Sequence, residues 1–496
     1  MKKIRVTALI LIFCTVLCIY APAASALDEP SVVAHSVVLA DLKSDHIIYS
    51  KNMDEKVAPA SLTKIMTILI TIEALEAGEC SLSDVITAQD DCRIGMESDS
   101  STSDIYPGEQ MRLEDLMYCA MLQSANESCN IIGTFLSGSI SAFVQRMNDR
   151  AAALGCRNTH FANTNGLTDP DHYSTAYDFS LITRAAIGHE LFMTICNTRS
   201  YTVPPTNKTA EARVLDSTNA LICSDSMYGS GYLYEGASGV KTGYTRAAGY
   251  CLISTATRND VGIICIVMGS TGVLNSDRED YGHFVDTIAL YDWAFANYSY
   301  RTVLTTSDGI KKATIDLAAG DGTVILRPQS DVSLLLPKDY DDTSMTVTNI
   351  KLNEEELVAP IASGTVLGTA DIYVNGEYYE TINLITNMSV EISRNELLRR
   401  QFRNVTSSIW FKLGVILFVI IIACYIFLVI RYRRLRKQQL REQRLAEIRR
   451  RKKLEEYRRQ NGGTPQEPTH RFSDKDMQEY MRAYRGDDSD DRRYRH

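Results

Sequence analysis

Three short elements in this 496-residue chain carry side chains that can cooperate in acyl transfer. The first is Ser61-Leu62-Thr63-Lys64, directly after Pro59-Ala60. On a helix, residues i and i+3 share a face, so the Ser61 hydroxyl and the Lys64 amine can meet. A serine becomes a nucleophile when a neighbouring base takes its proton. A lysine can be that base only if desolvation or a nearby cation lowers its pKa. Ile65, Met66 and Ile68 follow, which implies a largely buried helix. Alone, S-x-x-K says little, since about two occurrences are expected by chance in a chain of this length.

The second element is Ser124-Ala125-Asn126, read as part of a helical stretch between Met121-Leu122 and Cys129. Ser124 can relay a proton towards a leaving group. Asn126 can donate to a substrate carbonyl and accept from a lysine. The third is Lys241-Thr242-Gly243, leading to the apolar run at Tyr250. A strand with a cation, a hydroxyl and a glycine suits an extended peptide laid along its edge, where Gly243 admits a close backbone approach. Lys241 and Thr242 can hold a terminal carboxylate. Lys241 is also expected to be the cation that lowers the pKa of Lys64.

S-x-x-K, S-x-N and K-T-G in this order form the motif set of penicillin-binding proteins and class A β-lactamases. Pro59-Ala60-Ser61-Leu62-Thr63-Lys64-Ile65-Met66-Thr67 resembles the nucleophile segment of serine-type D-alanyl-D-alanine carboxypeptidases. Residues 161–175, with Asn165-Gly166-Leu167 and His172-Tyr173-Ser174-Thr175, resemble another of their segments. So does Gly239-Val240-Lys241-Thr242-Gly243-Tyr244-Thr245, continuing to Ala248-Gly249-Tyr250-Cys251. The likeness spans residues 33–298 and extends more weakly through Ala359-Pro360-Ile361 and Gly364-Thr365-Val366-Leu367-Gly368. It implies that Ser61 forms an acyl-enzyme, with Lys64 as general base and Ser124 and Asn126 assisting. Lys241, Thr242 and Gly243 would bind substrate, and the oxyanion would sit between the backbone N–H groups of Ser61 and Tyr244. The implied partners are peptidoglycan stem peptides as substrate and β-lactam antibiotics as covalent inhibitors, with no cofactor and no metal.

A class A β-lactamase would also need a deacylating Glu four residues before an Asn, between the second and third motifs. Only Glu127, Glu190, Glu211 and Glu235 lie there, followed at that spacing by Ile131, Thr194, Leu215 and Gly239. No G-x-S-x-G is present, and the histidines, His160 and His172 among them, form no H-E-x-x-H pattern. An extracellular sensor that acylates without turnover is a different class of function, separable by repeated D-alanine release. A D,D-endopeptidase could use the same residues.

The elements that must position these motifs alternate in type. Residues 36–41 and 47–49 read as a hairpin. Residues 60–77 have apolar side chains at helical threes and fours, with Gly78 as a stop; 113–135 and 141–154 read as further helices. Residues 248–255 and 262–268 read as core strands joined at Arg258-Asn259-Asp260. Strands flanking helical material imply an α+β fold with one sheet, a catalytic domain of the penicillin-binding and β-lactamase-like kind over 33–298. From 302 to 395, short β runs with turns at Gly320-Asp321-Gly322, Pro337-Lys338-Asp339 and Asn375-Gly376 imply a small all-β domain.

The ends give an address. Lys2, Lys3 and Arg5 precede an apolar run to Tyr20 and the small-residue site Ala24-Ser25-Ala26, so 1–26 reads as a signal peptide. Residues 413–430 are uncharged and apolar, with Trp410 before and Arg431, Arg433 and Arg434 after. That marks 410–430 as a transmembrane helix with its basic flank in the cytoplasm. Residues 431–460 hold 14 Arg or Lys against 4 Glu, although the whole chain is −9. The tail, 431–496, is read as cytoplasmic and partly disordered. Its charge suits topology and anionic headgroups rather than nucleic acid. Of 12 cysteines, nine fall between signal and membrane at irregular spacing with no C-x-x-C, so at least one is expected to be a free thiol.

Overall fold

The computed structural model describes residues 29–275, 278–460 and 462. The segment expected to be a signal peptide and the end of the expected tail lie outside the described residues. The chain divides into two units, residues 1–393 and 394–496.

Unit one begins with the expected hairpin, β1 (Ser36–Asp41) and β2 (Ile47–Lys51). A 3-10 turn (Ala60–Thr63) then runs into helix α1 (Lys64–Glu76). The sequence pattern implies a one-sided apolar stripe, but Lys64 to Ile72 is buried on every side. A helix apolar all round belongs in the centre of a lobe. Its two internal threonines are satisfied there: Thr71 Oγ1 donates to the Thr67 carbonyl (2.7 Å) and Thr67 Oγ1 to the Thr164 carbonyl (2.5 Å). A small pair, β3 (Val85–Thr87) and β4 (Gln110–Arg112), precedes α2 (Leu113–Leu122), α3 (Asn126–Ser137) and α4 (Ile140–Ala153). Helices α5 (Ala176–Ile187) and α6 (Glu190–Asn197) follow, then the pair β5 (Ser200–Val203) and β6 (Arg213–Asp216).

The stretch expected as one helix over 113–135 is two helices. Gln123 ends the first, and Ser124 adopts a left-handed conformation (φ +59°), so the chain turns before Asn126 opens α3.

Strands β7 (Ala237–Thr245), β8 (Gly249–Arg258) and β9 (Val261–Ser270) complete a five-stranded antiparallel sheet of order β2-β1-β9-β8-β7. Alternation on the pleat gives each face its own core. Val38, Ala40, Ile264, Ile266 and Met268 pack with the helical lobe. Val37, Leu39, Ile263, Cys265 and Val267 pack with Phe284, Leu290 and Tyr291 of helix α7 (Gly282–Asn297), which follows the short pair β10 (Gly272–Asn275) and β11 (Arg278–Tyr281). Strand β7 lies at one edge of the sheet, so one side of its backbone is unpaired by strands.

The remainder of the unit is all-β. Strand β12 (Tyr298–Leu304) pairs with β15 (Val332–Pro337). Strands β13 (Lys311–Asp316), β14 (Thr323–Pro328), β16 (Met345–Leu352), β17 (Leu357–Val358), β18 (Val366–Val374) and β19 (Glu377–Ile385) form a sheet of order β16-β18-β19-β14-β13-β17 around a separate apolar core. The β18–β19 hairpin turns at Asn375 and Gly376, both with positive φ (+52° and +84°), the geometry an Asn-Gly pair favours.

Unit two holds α8 (Arg394–Ser407) and the 52-residue α9 (Ile409–Gln460). Helix α9 is long and apolar enough to cross a membrane, and its apolar stretch is unburied. The ten described cysteines are all free thiols.

Candidate active site

The three sequence elements converge from three parts of the first unit. Ser61 sits in the 3-10 turn that leads α1, where the first amides of a helix have no acceptor within it. Lys64 is fully buried. Its Nζ lies 2.8 Å from Ser61 Oγ, 2.8 Å from Asn126 Oδ1 and 2.6 Å from the Asn165 carbonyl. The Asn126 orientation is fixed independently, because Nδ2 donates to the Ser101 carbonyl (3.0 Å), which can only accept. A neutral Lys64 amine has two N–H bonds and one lone pair. Two of its neighbours are pure acceptors, so they take both N–H bonds. The lone pair is left for Ser61, the one neighbour with a proton to give.

Burial pushes the Lys64 pKa down to about 8, against smaller opposing effects of Cys129 and Glu127. Lys241, also fully buried, is pushed well below the ordinary lysine range, first by burial and then by the Lys64 charge. Burial leads for both amines, and the proximity of the two disfavours protonating both at once, the mutual effect expected of neighbouring cations.

Lys241, Thr242 and Gly243 stand on the edge strand β7, opposite Ile253, Leu252 and Cys251 of β8. Lys241 Nζ donates to the Thr242 carbonyl (3.0 Å), and the Thr242 hydroxyl lies 2.6 Å from that of Thr218. Gly243 faces the nucleophile turn: a Cβ here would lie 3.0 Å from Ser61 N and 3.3 Å from Leu62 N. Tyr244 follows, half exposed, its ring 4.5 Å from that of Tyr250. Ser124 is buried, and its Oγ has no hydrogen-bond partner among the described residues.

Several contributors carried no role in the sequence. Gly166 has φ +95°, and a Cβ on it would come 1.8 Å from the Ala60 carbonyl oxygen, so the 163–167 turn lies directly beneath the nucleophile turn. Asn163 Oδ1 accepts from Gly166 N (2.7 Å), and Asn130 Oδ1 from Thr164 Oγ1 (2.6 Å). His172 accepts from Ala162 N at Nδ1 (2.9 Å), so its Nε2 carries the proton towards Thr63 Oγ1 (2.7 Å). Thr63 in turn donates to the Ala60 carbonyl (2.9 Å). Burial keeps that imidazole neutral, lowering its pKa to about 4. The Asn-Gly pair at 165–166 signals a turn, but the acceptor reaching Lys64 is a backbone carbonyl, which no residue type marks.

A mixed sheet-and-helix domain with a serine beside a buried lysine, followed by an all-β domain, defines a serine-type peptidase of the penicillin-binding class. Residues 23–272 match the family model described as D-alanyl-D-alanine carboxypeptidase, and residues 298–391 match that of the penicillin-binding protein 5 C-terminal domain. The chain belongs to the D-alanyl-D-alanine carboxypeptidase family. It is 31% identical over 384 residues to the D-alanyl-D-alanine carboxypeptidase DacF of Bacillus subtilis (strain 168), covering 76% of this chain and 92% of that one. It is 30% identical over 390 residues to DacC of Escherichia coli (strain K12), covering 75% and 89%. Penicillin binding protein 5 from Haemophilus influenzae superposes with a TM-score of 0.59 at 27% identity, covering 74% of this chain and all of that one.

Proposed function

We propose that this chain is a serine-type D-Ala-D-Ala carboxypeptidase that removes the terminal D-alanine from peptidoglycan pentapeptides through an acyl-enzyme and is inhibited by penicillin. Ser61 attacks the carbonyl of the D-Ala–D-Ala bond while Lys64 takes its proton. The negative oxygen that develops is held by the backbone N–H groups of Ser61 and Tyr244. Ser124 passes a proton to the departing D-alanine amine, and Asn126 holds both Lys64 and the substrate backbone. Water then cleaves the Ser61 ester. Lys241 and Thr242 grip the terminal carboxylate of a peptide lying along the β7 edge, and Gly243 leaves room for the nucleophile turn beside it.

The single observation that carries the reading is the convergence of Ser61 Oγ and two pure acceptors on Lys64 Nζ, which leaves the lone pair of the neutral amine for Ser61. Lys241 adds a device. Buried beside Lys64, the pair favours holding one charge. An arriving carboxylate stabilises that charge on Lys241, which in turn disfavours the proton on Lys64. Substrate binding then helps to free the base. The test is incubation of the purified chain with a pentapeptide ending in D-Ala-D-Ala, with repeated release of D-alanine as the expected result and a single turnover or none as the contrary one.

For location, we propose residues 1–26 as a signal peptide, 33–298 as the catalytic domain and 302–395 as the small β domain, both outside the cell. Residues 410–430 would form a single membrane pass, and 431–496 a cytoplasmic tail. The apolar stretch of α9 and the Arg431, Arg433 and Arg434 flank support this orientation. The wall peptide is the substrate partner, β-lactams are covalent inhibitors, and no nucleic acid is involved.

A further inference from the structure

Directly after Asn126, a buried carboxylate holds a loop against the site. Glu127 is 0% exposed in the first turn of α3. Its Oε1 accepts from Thr102 Oγ1 (2.7 Å), Ser103 N (2.8 Å) and Ile105 N (3.3 Å). The loop so held supplies the Ser101 carbonyl, which accepts from both Asn126 N (3.1 Å) and Asn126 Nδ2 (3.0 Å). That second bond turns Asn126 Oδ1 towards Lys64. Glu127 Oε2 is buried with no hydrogen-bond partner among the described residues, so Oε1 makes all of its loop contacts, beside Arg93 Nη1, which donates to Thr102 Oγ1 (3.3 Å) and the Ile105 carbonyl (3.2 Å).

We propose, building on the carboxypeptidase reading above, that Glu127 is a positioning residue: its carboxylate clamps loop 101–105 so that Ser101 aims Asn126 at Lys64. The same buried anion acts on the Lys64 proton. A negative charge nearby favours the ammonium over the amine, and Glu127 opposes the effect of burial on Lys64. The other titratable groups near Lys64 are Cys129 of α3, Lys241 of β7 and His172. Burial pushes the Cys129 thiol up to about 11 and His172 down to about 4, so both stay neutral near pH 7. The thiols beside Glu127, Cys92 and Cys119, are raised as well. Glu127 is therefore the principal nearby anion that can retain the Lys64 proton.

The two roles separate in two variants of the full chain in detergent, acylated by a fluorescent penicillin across pH 5–10. Glu127→Gln keeps an acceptor in place and removes the charge. The midpoint of its acylation profile moves to lower pH by roughly 1 unit, because Lys64 loses its proton more readily. Glu127→Asp keeps the charge and withdraws the oxygen from the loop. Its plateau rate falls by about ten- to a hundredfold at an unchanged midpoint, as expected for a misplaced group. An unshifted Glu127→Gln midpoint overturns the proposal, and so does a Glu127→Asp plateau equal to wild type. If the Gln variant does not melt cooperatively, the Asp plateau alone decides. A wild type that is not acylated at Ser61 overturns the carboxypeptidase reading and this proposal together. An acylated wild type with insensitive variants overturns only the role of Glu127.

Discussion

Lys64 Nζ stands 2.8 Å from Ser61 Oγ, and every other polar contact of that nitrogen is to an acceptor with no proton to give. In the neutral amine this leaves the lone pair for Ser61, so the fraction of Lys64 that is neutral sets how much enzyme is primed for proton transfer. With its pKa lowered to about 8 by burial, only about a tenth of Lys64 is neutral at pH 7. The acylation rate with penicillin should rise as pH increases, reach half its maximum near pH 8, and level off above. A rate flat from pH 6 to 9 would show that Lys64 is not the titrating base.

Lys241 tests a separate contribution. Replacing it with Gln removes the ionic hydrogen bond to the substrate carboxylate, typically about 1.5–3 kcal/mol. Wild type should therefore prefer a peptide acid over its C-terminal amide, and Lys241→Gln should lose about ten- to a hundredfold of that preference. A retained acid preference removes Lys241 from the carboxylate site.

Gly166 is a structural support with a sharp prediction. A methyl group there would come 1.8 Å from the Ala60 carbonyl oxygen, on a backbone with φ +95°. Gly166→Ala should cost about 1–3 kcal/mol in backbone strain, with the displaced contact in addition. It should also slow acylation, because the 3-10 turn carrying Ser61 has to shift. Denaturant melts and penicillin acylation measured together check this, and wild-type values in both would mean the turn is not held from below.

The proposed topology has a direct readout. Protease added to intact cells stripped of wall should digest residues 33–395 and leave the segment after 430 intact. Protection of the catalytic domain would contradict the outside orientation.

Much of the site is legible from the chain because it depends on side-chain type at fixed helical or strand spacing. Ser61 and Lys64 need only the i, i+3 relation, and the β18–β19 hairpin needs only Asn375-Gly376. What stays hidden depends on the backbone. Ser124 reads as helical because its neighbours are good helix formers, and nothing local marks its left-handed φ of +59°. Asn165 serves Lys64 through a carbonyl that any residue would possess. Gly166 and Gly243 matter for side chains they lack, which becomes visible only once the nucleophile turn lies against them. Pairings distant in sequence, such as β14 with β19 and β13 with the two-residue β17, have no local signal either. The burial that lowers both lysines comes from packing between distant segments, and sequence alone does not give it.

Ser61 as the nucleophile activated by Lys64 can be tested directly. Mass spectrometry of the penicillin-treated chain, after proteolysis, locates the acyl adduct. One adduct is expected, on the peptide containing Ser61. It should be absent in Ser61→Ala and strongly slowed in Lys64→Met, with both variants melting cooperatively. An adduct on another residue, or labelling that persists in a folded Ser61→Ala variant, would contradict it.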